Sequence, residues 1–130
     1  MDINSITSQV IKAAIIVHRE LGPGLLESVY QRCLQTELLE MGLSIASEVP
    51  VSIQYKGQFV QQEGFRMDLL VEDKVIVELK SLEKLRDVHE KQLLTYLKLT
   101  DKRIGLLINF NEFLLKKGIV RIANGYSEQI

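Results

Sequence analysis

The stretch from Phe65 to Lys80, FRMDLLVEDKVIVELK, decides the fold. Two short apolar runs, Met67 to Val71 and Val75 to Leu79, flank the polar break Glu72-Asp73-Lys74. Both are rich in Val, Ile and Leu and too short for helices, so they read as the two strands of a β-hairpin. Three charges interrupt them: Asp68 in the first, Glu78 and Lys80 in the second. Side chains alternate across a strand, so Glu78 and Lys80 share one face while Val75, Val77 and Leu79 point to the other. A loop with an odd number of residues, or a bulge, sets Asp68 directly opposite Glu78, about 5 Å away at Cβ. A two-residue loop would put it opposite Leu79, on the wrong face.

Two carboxylates held side by side repel each other unless a cation lies between them, and hard divalent cations prefer carboxylate oxygens. Asp68 and Glu78 therefore read as a metal site. Lys80, one pleat on, is placed to hold an attacking water or to neutralise charge developing on a phosphate. The alternative is a solvated polar face with a weak cross-strand ion pair. Against it stands the apolar character of both runs, which suggests strands covered on both sides, where unpaired charges are rare.

Working outward toward the N-terminus, Ile6, Val10, Ala13, Ala14, Val17 and Leu21 recur at helical spacing, after a cap at Asn4 or Ser5. Gly22-Pro23-Gly24 ends this helix, and a second runs from about Glu27 to Met41 with Gly42 behind it. Glu27 falls in its first turn, where the helix dipole alone favours an acid. His18, near the end of the first helix, reads as structural for the mirror-image reason. Ser44 to Ile53 reads as a strand, Tyr55 to Gln58 as a turn and Phe59 to Glu63 as a return strand, so that with the hairpin a four-stranded antiparallel meander is expected.

Beyond Lys80, a helix is expected from Asp87, as its cap, to Leu99, with Leu93, Leu97 and Val88 or Leu94 in its buried stripe. His89, Gln92 and Tyr96 share the adjacent face. The apolar run Arg103 to Phe110 following a helix suggests a parallel strand. Gly118 to Ala123 forms a last edge strand, Lys116, Lys117 and Arg121 a solvated basic cluster beside it, and Asn124 to Ile130 a loose tail.

Asp68 followed ten residues on by Glu78-Leu79-Lys80 resembles the D…ExK core of the PD-(D/E)XK nuclease superfamily. The run Leu21-Gly22-Pro23-Gly24-Leu25-Leu26-Glu27-Ser28-Val29-Tyr30 resembles the signature of one small branch, the GxxExxY protein family. That likeness continues through Tyr55-Lys56-Gly57, the hairpin, His89 to Lys98 and Gly105 to Phe110. The resemblance implies that Glu27 completes the metal site or orients its water, with Tyr30 packed against the same pocket. It also implies that Gln92 and Tyr96, similar to a QxxxY element of several branches, line the active site.

The composition is that of a soluble globular protein: 130 residues, 46% hydrophobic, 25% charged, net charge −1. One domain spanning 1–130 is expected, with no membrane partner and a cytoplasmic location. The lone Cys33, expected to be buried on a helix, excludes an internal disulfide and a cysteine-based zinc site. The near-neutral charge argues against a general nucleic-acid coat, yet residues 1–79 carry 6 basic and 11 acidic side chains and residues 80–130 carry 10 and 6.

Together these readings give an α/β, restriction-endonuclease-like fold, a mixed sheet flanked by helices. They point to hydrolysis of phosphodiester bonds, most plausibly in DNA, with Asp68, Glu78 and the Leu79 carbonyl holding Mg²⁺ or Mn²⁺. Lys80 would activate water, Glu27 support the metal, and Gln92 and Tyr96 orient the site. Two rivals stay open: a non-catalytic nucleic-acid- or protein-binding module that keeps the fold, and a metal-dependent enzyme acting on a small phosphorylated substrate. A homodimer would suit cutting of both strands, and nothing in the sequence requires one.

Overall fold

A computed structural model describes residues 1–61 and 65–125. The elements run α1 (Ile3–Leu21), α2 (Glu27–Glu40), β1 (Ile45–Pro50), β2 (Ile53–Tyr55), β3 (Gln58–Gln61), β4 (Arg66–Val71), β5 (Val75–Lys80), α3 (Asp87–Thr100), β6 (Ile104–Asn109) and β7 (Ile119–Ala123). Five strands make one mixed sheet in the order β1-β4-β5-β6-β7, antiparallel except for the β5–β6 pair. The α3 crossover makes that parallel pairing possible.

The expected four-stranded meander is corrected. Pro50 has no N–H to continue a ladder, so the run from Ser44 breaks there, and β2 begins after it. The Val51 N–H then bonds the Phe65 carbonyl at 2.8 Å, closing the base of a separate β2–β3 ribbon. β1 pairs directly with β4, from Ile45↔Val71 to Pro50↔Arg66. Gln62 and Glu63 of the expected return strand and residues 126–130 of the expected tail lie outside the described residues.

Helix ends also shift for identifiable reasons. Asp2, not Asn4 or Ser5, caps α1, its Oδ1 accepting the Ser5 N–H at 2.7 Å. At the start of α3 the Arg86 N–H donates to His89 Nδ1 at 2.9 Å, so the His89 ring does the capping expected of Asp87. His18 is buried with Nε2–H donating to the Glu112 carbonyl at 2.7 Å, the structural role its position suggested. Cys33 is half-buried rather than fully buried. Arg121 leaves the expected solvated cluster to bond Thr7 and Asn4 of α1.

The sheet separates two apolar layers. Val75, Val77, Leu79, Leu106 and Ile108 pack against Ile6, Val10, Ala13 and Ala14 of α1 and Tyr30, Leu34 and Leu38 of α2. Ile76 and Leu107 pack against Leu93, Tyr96 and Leu97 of α3. β5 is thus covered on both sides, as its unbroken apolar run required. By the same alternation Glu78 and Lys80 share the Ile76 parity, on the side of the sheet that α3 covers.

Candidate functional site

The β4–β5 turn fixes the site's register. Glu72 and Asp73 adopt left-handed backbone, with φ of 54° and 55°, and the Lys74 N–H closes on the Val71 carbonyl at 3.0 Å. Lys74 is then one extra residue before the Val71↔Val75 pair, which is the odd loop that the sequence required. The ladder continues through Leu70↔Ile76 and Leu69↔Val77, and the next step brings Asp68 to Glu78.

At that step side chains replace the backbone ladder. Glu78 Oε2 accepts the Asp68 N–H at 2.8 Å, and Asp68 Oδ2 accepts the Leu79 N–H at 2.8 Å. Each carboxylate is therefore locked by one oxygen to the other's strand, and among the described residues Asp68 Oδ1 and Glu78 Oε1 accept no hydrogen bond. Glu78 is 5% exposed and Asp68 half-buried. Burial pushes the Glu78 carboxyl up to about 8, with the Asp68 charge adding to the rise. Burial is also the main cause of the raised Asp68 pKa, opposed by the Leu79 N–H bond and by Lys80. Such a pair calls for a proton or a cation.

Lys80 ends β5 half-buried, paired with Asn109 of β6, and forms no salt bridge among the described residues. Behind it, Asn109 Oδ1 accepts the Leu82 N–H at 3.0 Å and its Nδ2 donates to the Leu82 carbonyl at 2.9 Å. Fully buried, Asn109 fixes the path of the chain as it leaves the site.

The loop before α2 brings in Glu27. The Tyr30 hydroxyl accepts the Leu25 N–H at 3.1 Å and donates to the Gly22 carbonyl, while its ring stacks on Phe110 at 4.6 Å. Ser81 Oγ donates to the Leu25 carbonyl, tying the same loop to the end of β5. Tyr30 thus acts as a loop clamp. Glu27 is exposed at the first position of α2, near enough that its charge contributes to the raised Asp68 pKa.

Of the two α3 residues, Tyr96 is 5% exposed, and after burial the nearby Glu78 and Asp68 charges are the causes of its raised pKa. Gln92 is exposed, and no hydrogen bond among the described residues involves its side chain. The structure brings Tyr96 to the carboxylates and leaves Gln92 one turn away.

Two further residues escaped the sequence reading. Glu48 of β1 stands opposite Asp68, between the Ser47↔Leu69 and Val49↔Met67 pairs, with a φ of 52° that non-glycine strand residues rarely adopt. Its charge raises the pKa of both Asp68 and Glu78. Gln31, one turn after Glu27 on α2, donates from Nε2 to Glu48 Oε2 at 2.9 Å and to the Asp68 carbonyl at 3.4 Å. The β4 alternation slips at this point, since Met67 joins Leu70 on the α3 side while Leu69 and Val71 face α1 and α2. Nothing in the run Ser47-Glu48-Val49 marks a kink, because Glu is not a residue that signals left-handed backbone.

Among the described residues no three His, Cys, Asp or Glu side chains converge closely enough to enclose an ion by themselves. Two carboxylates with one free oxygen each, on a buried pair that resists full ionisation, nevertheless fit a divalent ion that keeps several waters. A two-carboxylate hairpin with a lysine one pleat on is thus set in a five-stranded mixed sheet with helices on both of its sides. The family model of the PD-(D/E)XK nuclease superfamily matches residues 4–122, and the chain belongs to that superfamily. Comparisons with curated proteins and with solved structures gave no match.

Proposed function

We propose that the chain is a divalent-metal-dependent nuclease hydrolysing phosphodiester bonds in DNA, and that within its superfamily it falls in the GxxExxY branch. The observation that carries this is the cross-locked pair, Asp68 Oδ2 on the Leu79 N–H and Glu78 Oε2 on the Asp68 N–H, with Lys80 beside it. Asp68, Glu78 and the Leu79 carbonyl hold Mg²⁺ or Mn²⁺. The metal supplies Lewis acidity toward a phosphate oxygen and lowers the pKa of bound water.

The chain's own residues do the rest. The two backbone N–H bonds hold both carboxylates in place while using one oxygen of each, so the second oxygen of each would be left for the metal. Lys80 orients the attacking water and offsets charge growing on the phosphate. Glu27, at the start of α2, supports the metal or orients its water, and Gln31 holds that helix against β1 and β4. Tyr96 closes the site from α3, with Gln92 beside it at the rim. A cytoplasmic location and action as one domain belong to the same reading.

The test is incubation of single-stranded, duplex and plasmid DNA, and of RNA, with the protein in Mg²⁺ or Mn²⁺. Cleavage of DNA that disappears with EDTA, in Asp68→Ala and in Lys80→Ala is the expected result. Absence of cleavage in every preparation, or cleavage that survives Asp68→Ala, would overturn it in favour of a binding module.

A further inference from the structure

The β2–β3 ribbon forms a two-stranded sheet of its own, its strands pairing only with each other among the described residues. Its residues are unusual for a solvent-facing hairpin: Tyr55 is 65% exposed, Phe59 57% and Val60 65%. Large apolar groups clustered this exposed on a short two-stranded element mark a contact surface. Pairing of Tyr55 with Gln58 and of Gln54 with Phe59 puts each ring beside an amide, on opposite faces of the ribbon.

Charge narrows what such a surface fits. Val51 to Gln61 contains no acidic residue, in a chain whose first 79 residues are otherwise strongly acidic. Lys56 sits at the turn with its Nζ 5.4 Å from the centre of the Tyr55 ring, so that a cation and an aromatic face are presented together. Arg66, exposed, stands at the root. That root is also close to the carboxylates: Pro50↔Arg66 is the last pair of the main ladder, two residues before Asp68.

We propose that this ribbon grips unpaired bases of a nucleic-acid strand entering the site, Tyr55 and Phe59 stacking on bases and Lys56 meeting the phosphates. The proposal takes its substrate class from the nuclease reading. A ring beside an amide, with a lysine alongside, matches one nucleotide: the ring covers the base, the amide bonds its edge, and the ammonium meets its phosphate. A duplex offers its grooves only base edges, on which exposed rings cannot stack, so the ribbon selects single-stranded or locally opened DNA.

The experiment is fluorescence anisotropy of a labelled oligothymidylate, and of the same strand in an oligoadenylate duplex, titrated with the full chain in EDTA so that no cleavage intervenes. The wild type should bind the single strand more tightly than the duplex. Tyr55→Ala/Phe59→Ala should weaken single-strand binding about tenfold or more, as loss of stacking at two bases implies. Tyr55→Phe, which keeps the ring, should retain it. Both variants change exposed side chains, and unaltered thermal melting shows that the fold is intact. Equal binding by the double variant, preference for the duplex, or no binding by the wild type overturns the proposal. Single-strand binding that needs the two rings, in a protein that cleaves nothing with Mg²⁺ or Mn²⁺, sinks the nuclease reading and leaves the ribbon's role standing.

Discussion

At the residue scale, Glu78 governs how the metal-free protein responds to pH. Its carboxyl is raised to about 8 in the fold, against an ordinary value of 4.5, so the native state holds a proton that the unfolded chain releases. Stability from this group is fully present below about pH 4.5 and is lost as pH rises toward 8; Asp68, raised for the same reason, acts in the same direction. Urea unfolding in EDTA should therefore show the wild type weaker at pH 8.5 than at pH 5, by on the order of a few kcal/mol. Glu78→Gln, uncharged at both, should lose most of that difference. A wild type equally stable at both pH values would show that the pair is solvated. Glu48 gives a second test. Its left-handed backbone and its charge beside Asp68 are both unfavourable, and such strain concentrates at functional sites. Glu48→Asn keeps an acceptor for Gln31, tolerates positive φ and removes the charge. It should raise metal-free stability by roughly 1 kcal/mol while weakening Mn²⁺ binding. A loss of stability would mean that Glu48 is simply part of the strand's packing.

At the scale of elements, the contact that seats α3 is made by the absence of a side chain. A Cβ on Gly105 of β6 would lie 2.9 Å from Leu93 Cδ1 and 3.1 Å from its Cγ, and Leu93 is buried at 1% exposure. Gly105→Ala should push α3 away from the sheet, destabilising by about 1–3 kcal/mol, and Leu93→Val in the same chain should recover part of the loss. Chemical denaturation of the three variants measures this, and additive losses would rule out the clash. Because α3 carries Tyr96, the first variant should also slow any cleavage. The same elements show what sequence could and could not reveal. The hairpin, its odd loop and the Asp68–Glu78 apposition were legible because period-two alternation and loop parity are local properties. The parallel β5–β6 pair followed from a helix between two apolar runs. The β1–β4 pairing was not legible, since it depends on the chain after Pro50 folding out as a ribbon and returning, a long-range choice with no local mark. Glu48 was missed for that reason: its place opposite Asp68 exists only once β1 and β4 pair. Tyr30 read as a pocket residue because its spacing from Glu27 is visible, whereas its hydroxyl's bonds to Gly22 and Leu25 are set by a loop conformation.

At the scale of the whole molecule, the distribution of charge makes the carboxylate pair a poor seat for a phosphate unless a cation offsets it. The charges of Glu27 and Glu48 reach Asp68, and Glu48 also reaches Glu78, with Lys80 as their neighbour, so without a cation they oppose a phosphate at the carboxylates themselves. In the segment leaving Lys80, Lys84 and Arg86 alternate with Glu83 and Asp87, and all four border a cavity of about 720 Å³ lined also by Leu82, Leu85 and His89. A divalent ion between the carboxylates would offset their charge and link folding to metal binding, because an ion held by the native state alone stabilises it by mass action. Mn²⁺ should therefore raise the melting temperature of the wild type at pH 8. At pH 5 protons compete for the same oxygens and the rise should be much smaller. Isothermal titration of Mn²⁺ should give binding that Asp68→Ala abolishes and Gln92→Ala leaves in place, because Gln92 sits at the rim. Equal Mn²⁺ stabilisation of wild type and Asp68→Ala would place the ion elsewhere, and the cross-locked pair would then be a structural device joining β4 to β5.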